Sequence, residues 1–543
     1  MSIRNILQQS IADAMADLGA ELLPGSIHLE RPLRIEHGDW SSNIALASAK
    51  HLRKSPREVA QCVCESIAQR GVEHLESVEV AGPGFVNFHL DTGWLHDVLL
   101  EVIAKGEDGY GRLDLGHGEK VNLEFVSANP TGPIHVGNGW WGAYGDSLAR
   151  VMERCGYSVH REYYVNDTGR QVQLLGESLL ARKRGEEVPE GGYRGAYVEK
   201  LAEEYDGPQD AMAAGKWATD GILAEIERTL SIVGIHYDEW YSQASVEESG
   251  FLYETIEVLR GQGLVEERDG ATWFLASNLG DTRDRVLIKD DGTPTYLAGD
   301  LAYHRNKLDV RGFDRAVDIF GADHQGQVPS LKAGITALGI DPDRLEILIG
   351  QMVSLVDGGQ AGKMSKRSGN FVPLDDLVAD IGPDATRLLA LMGSLDQAST
   401  LDLDIVRSQS MENPVYYIQY AYARIQSLGR VQAGRSIERI PIEKTDLSLL
   451  AHPREMEILR ALEVMPDIVA EACEERAPHK LTTWVRRLAA AFHGFYHDCP
   501  VLPLAANSED AMLLNARLWL VEGCRIGMAT ALSLLGVSAP DRM

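Results

Sequence analysis

The chain has 543 residues, 44% of them apolar and 24% charged, with a formal net charge of −28. At about 150 residues per domain, that length accommodates three or four domains, each with its own hydrophobic core. Ordinary glycine and proline contents exclude collagen-like and low-complexity chains, and the acidity excludes a chain-wide basic surface while leaving room for a local one.

Ile3, Ile6, Leu7, Ile11, Met15 and Leu18 follow helical spacing. With Asp13 and Asp17 among them, the start reads as an amphipathic helix rather than a signal peptide. A second helix is expected over Val59–Gln69, then strands at Val78–Val80 and Phe85–Leu90 around the turn Gly82-Pro83-Gly84. A small α+β domain is therefore expected over 1–115, with its linker in the glycine-rich stretch from Lys105 to Glu119.

Val121–Val126 reads as a strand, followed by a loop, a helix from about Gly137 to Cys155, and a strand at Ser158–Val165. Ala316–Phe320, a helix from Val328 to Leu338, and Leu345–Ile349 repeat the pattern. Two such βαβ halves predict an α/β, Rossmann-like, doubly wound parallel sheet over 116–410, with 180–290 as an insertion. Strand patterning disappears from Asp376 onward, and helices are expected at about 383–393, 413–432, 453–472, 479–497 and 509–535. Residues 411–543 then form an all-α bundle, where 14 Lys+Arg face 16 Asp+Glu, the least repulsive surface in the chain for a polyanion. No run approaches the roughly 18 apolar residues that span a bilayer, so a soluble cytoplasmic protein is expected. The six cysteines are scattered, and only Cys62 and Cys64 lie close, without a second pair or a histidine to complete a zinc site. Reduced thiols and no metal centre are expected.

Five constellations carry chemistry. Pro133, His135, Gly137 and Asn138 follow a strand and open a helix, where free N–H groups and the dipole favour phosphate; a capping loop with an incidental histidine is the bland alternative. Lys363, Met364, Ser365, Lys366 and Arg367 follow the glycine-rich Asp357–Gly362, as a mobile cationic loop over polyphosphate would, or a solvated basic loop. Tyr296 and Asp300 share a helical face; Asp300 is either a cap or a buried carboxylate that needs a cation, and no neighbouring Lys or Arg stands out, which leaves a ligand. Asp323 and His324 follow a parallel strand at the end where such sheets bind ligands, with an N-cap aspartate as alternative. Tyr416, Tyr417, Tyr420 and Tyr422 could stack on unpaired bases, although the spacing also suits Tyr416 and Tyr420 to a core face.

A His-x-Gly element on the first βαβ half with Lys363-Met-Ser-Lys366 after the second resembles class I aminoacyl-tRNA synthetases. Ala128–Gly137, Tyr163–Asp167, Gly321–His324, Asn413–Arg424, Leu534–Met543 and the N-terminal Gly38–Asn43 resemble the bacterial arginyl-tRNA synthetase family along nearly the whole chain. The resemblance implies activation of L-arginine with ATP and transfer to tRNA-Arg, with Mg²⁺ accompanying ATP and no dedicated metal site. It implies an ATP site of His135, Gly137, Asn138, Lys363, Met364, Ser365 and Lys366, with His135, Lys363 and Lys366 catalytic. It assigns an arginine pocket to Glu124, Asn129, Tyr296, Asp300, Asp323 and His324. It assigns tRNA contact to Asn413, Tyr416, Tyr417, Tyr420, Arg424 and Met543, with the N-terminal domain at the tRNA elbow. A monomer is expected. Two departures stand out. Asn138 replaces the family's second histidine, which slows adenylate formation if that histidine acts as a cation and costs little if it is a donor. Trp140 and Trp141 stand where small or basic residues are common, and either pack on the N-terminal domain or narrow the site. Asn138 also motivates the competing reading of a non-catalytic paralogue that binds tRNA or arginine.

Overall fold

The computed structural model describes residues 3–32, 34–351, 353–357, 360–362, 372–408, 410–502 and 510–543. The chain divides into two compact units. One comprises Met1–Gly106, Gln432–Glu463 and Ala491–Ile526, and the other Glu107–Val431, Val464–Ala490 and Gly527–Met543, so the helical C-terminal stretch is shared between them.

In the first unit, β1 (Trp40–Ser42), β2 (Leu75–Ala81) and β3 (Phe85–Leu90) form an antiparallel sheet in the order β1-β3-β2. The Ile3–Asp17 helix buries Ile3, Leu7, Ile11 and Met15, as its spacing requires. The Pro56–Arg70 helix is set by a capping box, in which Ser55 and Glu58 each satisfy the other's backbone N–H.

In the second unit, β4 (Lys120–Glu124), β5 (Ser158–Val165), β6 (Glu239–Ser242), β10 (Arg315–Gly321) and β11 (Leu345–Gly350) form one parallel sheet. Its order is β11-β10-β4-β5-β6. The chain leaves β4 in one direction and returns on its other side, so β4 and β10 flank the topological switch point where doubly wound sheets bind ligands. The stretch 180–290 is not wholly an insertion, because β6 lies within it as the edge strand of this sheet. The same stretch adds an antiparallel sheet of β7 (Val265–Arg268), β8 (Ala271–Phe274) and β9 (Arg285–Ile288).

Strands do not end at Asp376 either. β12 (Val353–Asp357) pairs antiparallel with β13 (Gln360–Gly362) and parallel with β14 (Ser399–Asp402), a strand too short to show alternation in the sequence. The glycine-rich arm expected at Asp357–Gly362 thus contributes to a hairpin. The helices expected at 413–432, 453–472 and 479–497 appear as Pro414–Gly434, Pro453–Glu474 and His479–Asp498. One helix, Ala511–Leu535, is long and apolar enough to cross a membrane by length and composition, contrary to the sequence reading; 78% of its most apolar window is buried. The six cysteines are free thiols.

Candidate active site

The helix Val136–Arg154 begins at the C-terminal side of β4, with His135 as N-cap. His135 Nδ1 accepts from the backbone N–H of Asn138 at 3.3 Å, which fixes the ring at the helix start. Gly145 and Gly139 let this helix approach its surroundings: a Cβ would lie 2.3 Å from Phe125 at the former and 2.5 Å from Leu374 at the latter. Asn138 is buried, and its Oδ1 accepts no hydrogen bond from the described residues.

Lys363, Met364, Ser365 and Lys366 lie outside the described residues. The residues just beyond that segment are tied to the first motif. Pro373 bridges to His135, Val136 N–H donates to Val372 O at 3.2 Å, and Leu374 N–H donates to Ile134 O at 2.9 Å.

Trp141 packs on β10 and β11. Gly321 and Gly350 are register partners there, and a Cβ on them would meet the Trp141 ring at 2.9 and 2.4 Å. Trp141 thus sits over the C-terminal edge of the sheet. Its Nε1 is buried and unpartnered among the described residues.

The acidic side of the crevice is built by the helix Tyr296–Arg305. Thr295, not Asp300, caps it, its side chain accepting from Ala298 N–H. The Asp300 carboxylate is half-buried and forms no hydrogen bond or ion pair with the described residues. Desolvation pushes its pKa up to about 6, against the pull of His304. Glu124 closes β4 and is buried; its Oε1 accepts from Ser127 Oγ at 2.8 Å and its Oε2 from Lys307 Nζ at 2.6 Å. Val126 and Ser127 carry φ of 72° and 36°, a left-handed conformation that is costly for a β-branched residue and is held here at the strand's exit. Asn129 Oδ1 accepts from Asn166 Nδ2.

Sequence reasoning missed Lys307, His304 and Asp318. Lys307 Nζ also donates to Asp318 Oδ1 at 3.0 Å, and His304 Nε2 lies 2.6 Å from Asp318 Oδ2. Nothing in the local pattern marks Asp318, which sits inside an apolar strand. Tyr296 is 64% exposed at the helix start. Asp323 and His324 are exposed within the turn Ala322–Gln327, which Gly321 rather than Asp323 caps; His324 still acts electrostatically on Asp300.

Three family models match the chain. They are the arginyl-tRNA synthetase N-terminal domain over residues 3–90, the class I (R) tRNA synthetase catalytic domain over 101–205 and 221–395, and the DALR anticodon-binding domain over 418–543. The arginine–tRNA ligase of Moorella thermoacetica is 42% identical, covering 98% of this chain and 96% of that protein. That of Frankia alni is 43% identical over 98% of both. The chain belongs to the arginyl-tRNA synthetase family. The arginyl-tRNA synthetase structure from Thermus thermophilus shares the fold, with a TM-score of 0.75 at 22% identity over 100% of both chains. The protein is thus a class I aminoacyl-tRNA synthetase, a ligase, with a DALR-type C-terminal domain.

On the anticodon side of this synthetase, Asn413 is buried and its amide is spent on structure. Oδ1 accepts from Val415 and Tyr416 N–H, and Nδ2 donates to Val406 and Ser408 carbonyls. Tyr416 and Tyr420 are not core residues as their spacing suggested. They are half-buried and stacked at 5.6 Å, with the Arg424 guanidinium 4.6 Å from the Tyr420 ring centre, while Tyr422 takes the buried position. Tyr417 is half-buried and Met543 is exposed.

Proposed function

We propose that the chain activates L-arginine with ATP and transfers it to tRNA-Arg. The observation that carries this reading is Asp300: a desolvated carboxylate with no cationic partner among the described residues, next to the switch point of a class I sheet. A guanidinium supplies that missing charge with a planar, two-pronged fork. Glu124 keeps a lone pair on each oxygen beside its Lys307 and Ser127 bonds, and Asn129, Tyr296, Asp323 and His324 complete the pocket.

The arginine carboxylate oxygen attacks the ATP α-phosphorus, the bond to the bridging oxygen breaks, and pyrophosphate leaves with that electron pair. A hydroxyl of the terminal adenosine of tRNA then attacks the arginyl carbonyl carbon, and AMP departs. His135, Gly137 and the N-terminus of the Val136–Arg154 helix hold the phosphates. Lys363 and Lys366, with Met364 and Ser365, act on the departing pyrophosphate, and Mg²⁺ enters with ATP. Asn138 keeps a hydrogen-bonding group at the phosphate site without a charge. The stacked Tyr416–Tyr420 pair, Arg424, Tyr417 and Met543 contact the tRNA, and Asn413 holds their helix in place. The same reading takes the enzyme as a cytoplasmic monomer.

The test is aminoacylation: purified protein, ATP, Mg²⁺ and bulk tRNA with each of the twenty amino acids. Charging with arginine alone is expected. Binding of tRNA without charging by any amino acid would overturn the reading in favour of a non-catalytic relative.

A further inference from the structure

Four neighbouring strands carry an acid at one register. Asp318, Glu124, Glu162 and Glu239 are successive partners across β10, β4, β5 and β6, and equal register on parallel strands puts their side chains on one face. Such a row needs cations, since unpaired buried carboxylates are costly. One π-helical turn, Asn306–Val310, and the residue that caps its C-terminus, Arg311, supply them. Lys307, whose side chain is 0% exposed, binds Glu124 and Asp318. Arg311, four residues on, donates to Glu239 Oε2 at 2.6 Å and to Glu162.

His304 completes the set. Its Nδ1 lies 2.7 Å from the Asp300 carbonyl, which can only accept, so Nδ1 carries a proton. Its Nε2 faces Asp318, so one further proton is shared between ring and carboxylate, and the pair is neutral wherever that proton sits. Glu124 and Lys307 cancel in the same way. Of the buried and half-buried carboxylates around the pocket, Asp300 alone has no counter-cation among the described residues; Asp323 is exposed and lies 3.5 Å from His324 Nε2. The ionisable groups that face Asp300 are His304 on its own helix, Glu124 on β4, Tyr164 on β5, Asp318 on β10 and His324 after β10; those facing Lys307 are Asp318, Glu124, Glu162, His304 and the Tyr303 ring.

We propose that Lys307 is a positioning residue for amino-acid recognition, one that cancels the charge of Glu124 and leaves the desolvated interior of the pocket a single negative charge, on Asp300, to be met by one cationic side chain, while Asp323 stands at the solvent-exposed rim. This deepens the arginine reading and rests on it. Without Lys307, Glu124 and Asp300 repel one another, and the pocket takes up a proton at higher pH.

The experiment is the pH profile of tRNA charging, with KM measured separately for arginine and ATP, in wild type, Lys307→Met and Lys307→Arg. In Lys307→Met the acid limb of kcat/KM for arginine is expected to move up by about one pH unit or more, with arginine KM rising about tenfold and ATP KM nearly constant. Lys307→Arg keeps the charge and is expected to hold the limb within about 0.3 units of wild type. An unmoved limb in folded Lys307→Met, or equal rises in both KM values, would overturn the proposal. If Lys307→Met does not fold, Lys307→Arg decides: a limb left in place with only arginine KM altered supports the proposal, and a displaced limb sinks it. Failure of the wild type to charge arginine would instead sink the functional reading.

Discussion

The two helix starts that face the crevice are built on opposite principles. At Val136, the groups at the helix start are backbone N–H donors, a capping histidine and glycines, and the helix end is itself a partial charge. At Tyr296, the backbone contributes little. The site depends on Asp300, and on Lys307, His304, Glu124 and Asp318 brought from a helix, a π-turn and two strands. A phosphate is multiply charged and tolerates a generic anion site. A guanidinium is one charge with a fixed fork, so its site requires an exact count of charges and a fixed direction. The difference teaches that the nucleotide side is a local property of the chain, whereas amino-acid selection is a property of the packed sheet.

The sharpest way to break this contrast is Asp300→Asn. Removing this carboxylate, which has no counter-cation among the described residues, is expected to lower kcat/KM for arginine about 10³-fold or more while leaving ATP KM nearly unchanged, measured by charging of tRNA. An equal loss for ATP would show that the two sides are not separate. His135→Ala comes next, with an expected loss of about 10²-fold in kcat and little change in arginine KM. It also removes a cap, so thermal unfolding is expected to register about 1 kcal/mol.

The pH profile of the wild type follows in size. A carboxyl whose pKa stands at about 6 is charged above that pH and protonated below it. The protonated form cannot pair with a guanidinium, so kcat/KM for arginine is expected to fall about tenfold for each pH unit below 6 and to level off above it. ATP KM is expected to lack this inflection. The smallest effects concern Trp141. Trp141→Phe keeps a ring over Gly321 and Gly350 and is expected to change ATP KM by less than about threefold, whereas Gly350→Ala, whose Cβ would sit 2.4 Å from the indole, is expected to cost about 1–3 kcal/mol of stability. A rise of tenfold in ATP KM for Trp141→Phe would show that its N–H, which has no partner among the described residues, binds the nucleotide.

Much was legible from the chain alone because it is encoded locally. Apolar periodicity revealed both βαβ halves and the long C-terminal helices, and the placement of His135 and Gly137 after a strand marked the start of the Val136–Arg154 helix. The i, i+4 pairing of Tyr296 and Asp300 held, because helical geometry is set by near neighbours. β6 and β14 escaped notice because strands of four residues have no measurable period, and their identity as strands comes from partners far away in the chain. Asn413 read as a ligand and is a cap. Tyr416 and Tyr420 suited a core face and form a half-exposed stack, because which helical face is buried depends on what packs against it.

By itself, then, the order of residues determined the succession of elements, the helix start at His135 and the presence of an acid at position 300, all of which depend on interactions within a few residues. Only the tertiary structure decided which acids remain charged and open. Asp318, Glu124, Glu162 and Glu239 come into one row through strand register, and Lys307 and Arg311 reach them across up to 183 residues of sequence separation. Coulomb interactions and desolvation follow distance in space rather than along the chain, and that is why the charge left for the substrate could be counted only once the sheet was folded.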